Sequence, residues 1–172
     1  MFMRSLGLAF LATAFLALPA AADDGQMVTL KANQIAQIFC LSRTGNDEAV
    51  ISGIIAPDLQ KAIDVADQKN DEYAKKNPDE EPPLGDGIPW QSSPDYAPNC
   101  DIGLVQLSKN DAKVELKYGF PDDPQANFTD TLILKKIPQA GFDVGFWRID
   151  NVLYPDGTDL KGALVSAFDG IE

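Results

Sequence analysis

Apolar positions in this chain fall first in one unbroken run, then at helical spacing, then in alternation, and each change of period marks a new element. The run from Leu6 to Leu18 is preceded by the single charge of Arg4 and followed by Ala20-Ala21-Ala22. Helical spacing begins near residue 30. Ile35, Ile38 and Phe39, with Cys40 and Leu41 beside them, predict a first helix over 30–43. Thr44-Gly45-Asn46-Asp47 ends it, with Gly45 as C-cap and Asn46 or Asp47 capping a short apolar helix over 48–55. Pro57 opens a third helix to about Lys76. Leu59, Ala62, Ile63, Ala66 and Tyr73 share one of its faces, and Asp58, Lys61, Asp64, Asp67, Asp71, Glu72 and Lys75 take the other.

Residues 78–99 carry no period. Acidic Asp79-Glu80-Glu81 leads into Pro82-Pro83, Gly85-Asp86-Gly87, Pro89-Trp90 and Pro94-Asp95-Tyr96-Ala97-Pro98, too rich in Pro and Gly for a regular element. The stretch reads as a packed connection or a lid, and Trp90 and Tyr96 give it something to pack with. Alternation then predicts four strands over 101–108, 112–119, 127–137 and 142–153. The second is the cleanest, with Val114, Leu116 and Tyr118 on one face and Lys113, Glu115 and Lys117 on the other. Turns are expected at Lys109-Asn110-Asp111, Pro121-Asp122-Asp123-Pro124, Gln139-Ala140-Gly141 and Pro155-Asp156-Gly157. Thr158 or Asp159 caps a final helix whose stripe is Leu160, Leu164 and Phe168. Helices followed by an antiparallel meander predict an α+β domain, its N-terminal helices packed on one face of a curved four-stranded sheet. A concave pocket is expected between the two layers.

The N-terminal run changes where this domain must work. Residues 1–22 have the basic start, short apolar segment and small-residue site of a cleaved secretory signal. The apolar segment is short of the roughly 20 residues of a membrane span. Residues 23–172, about 150 in number, then make one domain of ordinary size. In a bacterial periplasm the two cysteines, Cys40 and Cys100, are expected to form one structural disulfide.

Charge and composition remove several classes of function. The chain carries −12 at pH 7, a balance that repels nucleic acid and anionic membranes and suits a cationic partner. It contains no His, which eliminates Ser-His-Asp and Cys-His catalysis and His-based zinc sites. No acidic cluster has the spacing of a calcium loop, so neither a metal nor another cofactor is expected. Asn127-Phe128-Thr129 fits a glycosylation acceptor and is read as chance in a bacterial chain. Candidate ligand contacts are Trp90 and Tyr96, as aromatic faces at a pocket mouth, and Arg148 with Asp150, two apart on the last strand. Each also has a plainer reading, the aromatics as loop anchors and the pair as a surface ion pair.

The strings Gly85-Asp86-Gly87-Ile88-Pro89-Trp90 and Trp147-Arg148-Ile149-Asp150-Asn151-Val152, with the closing Asp159-Leu160 helix, resemble a bacterial family of exported domains of unknown function. That family has the cystatin-like fold, shared with nuclear transport factor 2-like proteins. The resemblance covers about residues 30–168 and implies a fold, together with a tendency to form homodimers through the exposed sheet face. It implies no chemistry, because the wider superfamily spans isomerases, dehydratases, ligand binders and association domains. Its enzymes use a pocket Asp or an Asp–His pair, and without His no catalytic position carries over. The expectation is a periplasmic, non-enzymatic domain that binds a small ligand or a protein. An acidic inhibitor or immunity protein against a cationic periplasmic hydrolase is the alternative, and a His-free enzyme using a pocket Asp is a second one.

Overall fold

The computed structural model describes residues 30–171 apart from 46, 86, 139 and 142–144. The secretory segment, the cap at Asn46, Asp86 of the Gly85-Asp86-Gly87 string and the start of the predicted fourth strand lie outside the described residues. Three helices come first: α1 (Ala32–Thr44), α2 (Ala49–Ser52) and α3 (Pro57–Lys76). A meander follows, β1 (Asn99–Leu107), β2 (Asp111–Gly119), β3 (Phe128–Ile137) and β4 (Phe146–Leu153), with a single 3₁₀ turn at Pro124–Ala126. The chain closes with α4 (Leu160–Ser166). The four strands pair antiparallel in sequence order, which is the α+β arrangement the alternation predicts.

Most local signals act where the sequence puts them. Asp47, one residue before the cap position of α2, accepts from the Ala49 N–H at 3.0 Å, and Asp159 caps α4 by accepting from the Gly162 N–H at 2.8 Å. Pro57 occupies the first turn of α3, where its missing N–H costs nothing. On β2 the alternation is complete: Ala112, Val114, Leu116 and Tyr118 are buried while Lys113 and Lys117 are exposed. Register sets Val114 opposite Leu132, Ala112 opposite Leu134 and Leu116 opposite Asp130. One sheet face therefore meets Ile35, Phe39, Leu59, Ile63, Leu160 and Leu164 from the helices in a continuous core.

Two irregularities shape the edges. Between β3 and β4 the register shifts so that Ile149 faces Leu134 but Asn151 faces Ile133, leaving Asp150 as the extra residue of a bulge. The free edge of β4 is partly covered by the α2–α3 connection, where the Ala56 N–H donates to the Ile149 carbonyl and the Ile149 N–H to that of Ile54. At the other edge Cys40 and Cys100 form a disulfide between α1 and β1, their Cα atoms 5.3 Å apart. In the chain-entropy picture a closed loop of this size stabilises the fold by roughly 4 kcal/mol. No described helix is long and apolar enough to cross a membrane.

Candidate functional site

A charge sits on the apolar stripe of α1. Ile35, Phe39 and Arg43 recur every four residues, so the last turn carries a guanidinium toward the core, and Arg43 is only 2% exposed. Its planar head lies 5.7 Å from the centroids of both the Phe39 and Trp90 rings, which supply cation–π attraction in place of water. Nε donates to the Ser42 hydroxyl at 3.2 Å. Nη2 has no hydrogen-bond partner among the described residues, its nearest carboxylate being Glu48 Oε1 at 3.7 Å. Burial pulls the Arg43 pKa below its ordinary value, opposed mainly by the charge of Glu48.

The wall opposite Arg43 is the connection between α3 and β1. It is a packed segment, held at several points. The Leu84 N–H donates to Asn70 Oδ1 at 2.9 Å, the Tyr154 hydroxyl to the Pro89 carbonyl, and the Ser92 N–H to Asp130 Oδ2 at 3.0 Å. Trp90 is 2% exposed and meets Phe39 edge to face at 6.0 Å. Gln91 donates to the Ser93 and Asp95 carbonyls and so rounds off the turn.

Between this wall and the end of α1 lies an open cleft of about 380 Å³, lined by Arg43, Leu84, Ile88, Trp90, Gln91 and Tyr96, among others. Three of its lining side chains carry buried polar atoms without partners among the described residues: Arg43 Nη2, Trp90 Nε1 and Gln91 Oε1. Buried polar atoms are normally paired, so such a concentration singles this cleft out as the candidate site. The Tyr118 hydroxyl and Asp130 Oδ1, outside the cleft lining, are likewise buried and unpartnered among the described residues. Burial raises the Asp130 pKa, with the hydrogen bond from Ser92 opposing, and raises that of Tyr118.

A larger hollow of about 560 Å³ lies beside the start of α1, bordered by Leu30, Val105, Leu107, Lys136 and Trp147. None of its lining side chains carries a buried unpartnered polar atom, and Lys136 is already stacked on Trp147 at 4.9 Å. Chemistry therefore favours the smaller cleft over the bigger one.

Of the residues singled out from sequence, the structure brings Trp90 and Tyr96 into one cleft, Trp90 in its wall and Tyr96 at its rim, 45% exposed. Arg148 and Asp150 lie outside its lining and do not act as a pair. Asp150 is held by Lys135 at 2.9 Å and Lys161 at 3.0 Å, a bridge that ties the bulge of β4 to β3 and to the start of α4. Arg148 donates to the Trp147 carbonyl and packs over Phe146. Arg43, Gln91 and Asp130 were not anticipated. A signal existed for two of them: Arg43 continues the Ile35–Phe39 stripe, and Asp130 occupies a core-facing position in the Phe128–Leu132–Leu134 alternation.

Comparison with protein-family models, with curated proteins and with solved structures finds no match. The residues of the cleft carry the functional argument alone. Among the described residues, no group of His, Cys, Asp and Glu is arranged to hold a metal ion.

Proposed function

We propose that this chain is an exported periplasmic domain of cystatin-like architecture that binds a small ligand without transforming it. The binding site is the cleft between the end of α1 and the 84–96 segment. One observation carries the reading: Arg43, Trp90 and Gln91 line a common cleft, and each carries a buried polar atom without a partner among the described residues. A ligand that supplied those partners would recover the desolvation cost that each atom bears, roughly 1–3 kcal/mol apiece. The N-terminal secretory pattern and the Cys40–Cys100 disulfide both suit an oxidising compartment.

A His-free enzyme draws support from one residue, Asp130, buried and with a raised pKa as a general base would need. Asp130 does not line the cleft, however. The Ser92 backbone stands in front of it and takes one of its oxygens. A base has to reach the proton it removes, so binding is the better reading.

Native mass spectrometry of protein isolated gently from its own periplasm tests the proposal. The expected result is a small-molecule adduct that is released when the protein is unfolded. Bare protein accompanied by a basic partner would replace this reading with that of an acidic inhibitor.

A further inference from the structure

We infer that the cleft takes a small organic monoanion, its carboxylate bound at Arg43 and its flat apolar body covered by the loop aromatics and prolines. The inference rests on the ligand-binding reading above and adds the chemical class. Arg43 is a permanent cation, 2% exposed, and among the described residues the one carboxylate within 4 Å of it, that of Glu48, stands off at 3.7 Å from Nη2 without a hydrogen bond to that atom. Desolvated guanidinium groups form their strongest hydrogen bonds with carboxylates. The stem and plane of Arg43 are fixed by Phe39, Trp90 and Ser42, so little entropy is lost when an anion docks.

The remaining lining narrows the class. Leu84, Ile88, Pro89 and Pro94 offer apolar surface, and Tyr96 adds a half-exposed ring at the rim. Gln91 Oε1 is an acceptor without a donor among the described residues, so the ligand is expected to bring a hydroxyl or N–H as well. A polyphosphate or polyanion does not suit the site. One guanidinium offsets one charge, and the surrounding chain at −12 repels every further one.

The probe is para-hydroxyphenylacetate, set against its neutral amide, with binding read by calorimetry and by thermal shift on the full mature chain. The acid is expected to bind and raise the melting temperature, and the amide to do neither. Arg43→Gln should weaken the acid by roughly tenfold or more. Glu48→Gln removes the competing carboxylate at a half-exposed position and should tighten the acid by about two- to fivefold, its own melting curve showing that it folds. If Arg43→Gln does not fold, the amide and Glu48→Gln comparisons decide.

Equal binding of acid and amide, no binding of the acid, or weaker binding in Glu48→Gln would overturn the monoanion assignment. A neutral or cationic adduct in the native mass spectrum would also overturn it, while leaving the ligand-binding cleft in place. Bare protein there would remove the broader reading itself.

Discussion

Asp130 shows how one residue can conflict with the period it belongs to. Its neighbours at two-residue spacing, Phe128, Leu132 and Leu134, face the core, and Asp130 faces it with them, 0% exposed. The Ser92 N–H satisfies one carboxylate oxygen and leaves the other unpartnered among the described residues. Burial is the leading cause of its raised pKa, so folding favours the protonated form. The resulting contribution to stability is fully present below the ordinary pKa of 3.8 and is lost as pH rises through the folded-state value. Asp130→Asn keeps an oxygen for Ser92 and never ionises. It is expected to melt higher than the parent at pH 7, by on the order of 1 kcal/mol, with the gap closing toward pH 4. Melting curves of both proteins across that range check it. A parent that stays the more stable throughout would show that the ionised carboxylate is better solvated than its burial implies. Residues of this kind are hard to read from sequence. A charge on a core stripe looks like an interruption of the stripe, and only the packing of Ser92 against Asp130, or of Trp90 against Arg43, shows that the stripe continues through it.

Elements were far more legible, because each rests on signals within its own span. The cap at Asp159, Pro57 at the start of α3 and the alternation of β2 all act as the sequence predicts, whereas the cap position of α2 falls on Glu48, one residue past Asp47. The connection between α3 and β1 was legible only as an absence of period. What fixes it lies far away in sequence: Asn70, Asp130 and Tyr154 each hold one of its backbone groups. Tyr154→Phe removes the donor to the Pro89 carbonyl and leaves that acceptor without it. A loss of roughly 1 kcal/mol in global stability is expected. Hydrogen exchange should separate the effects, rising across residues 87–92 while α3 stays protected. Faster exchange throughout the molecule would mean that the loop and the core open as one unit. Rigidity here bears on the proposed binding, since a preformed cleft loses less entropy on binding than one that must first be assembled.

At the scale of the whole molecule two opposing features meet, an excess of negative charge and a covalent tie. The chain has 26 acidic residues against 14 basic ones, and many acidic groups stand on the outer face of α3, where Asp58, Asp64, Asp67, Asp71 and Glu72 are all exposed. Packing these charges into a compact body costs more than spreading them along an unfolded chain. The pKa of Asp67 is raised first by partial burial, and the nearby charges of Asp71, Asp64 and Glu48 add a smaller push in the same direction. The local ion pairs around Asp150 and Arg43 work in the other direction but are few. Salt should therefore stabilise this protein. Raising sodium chloride from low millimolar to about 0.15 M shortens the screening length to about 8 Å. At neutral pH the melting temperature is then expected to rise by a few degrees. The disulfide limits how far the unfolded chain can expand to relieve its repulsion, so it should also limit the salt effect. In a Cys40→Ser, Cys100→Ser double variant the melting temperature should fall, by up to roughly 4 kcal/mol in stability, and its dependence on salt should steepen. Thermal melts of both forms over a salt series measure the two slopes together. A parent destabilised by salt would show that attractive pairs outweigh the net charge, and parallel slopes would mean that the disulfide acts on the folded state alone.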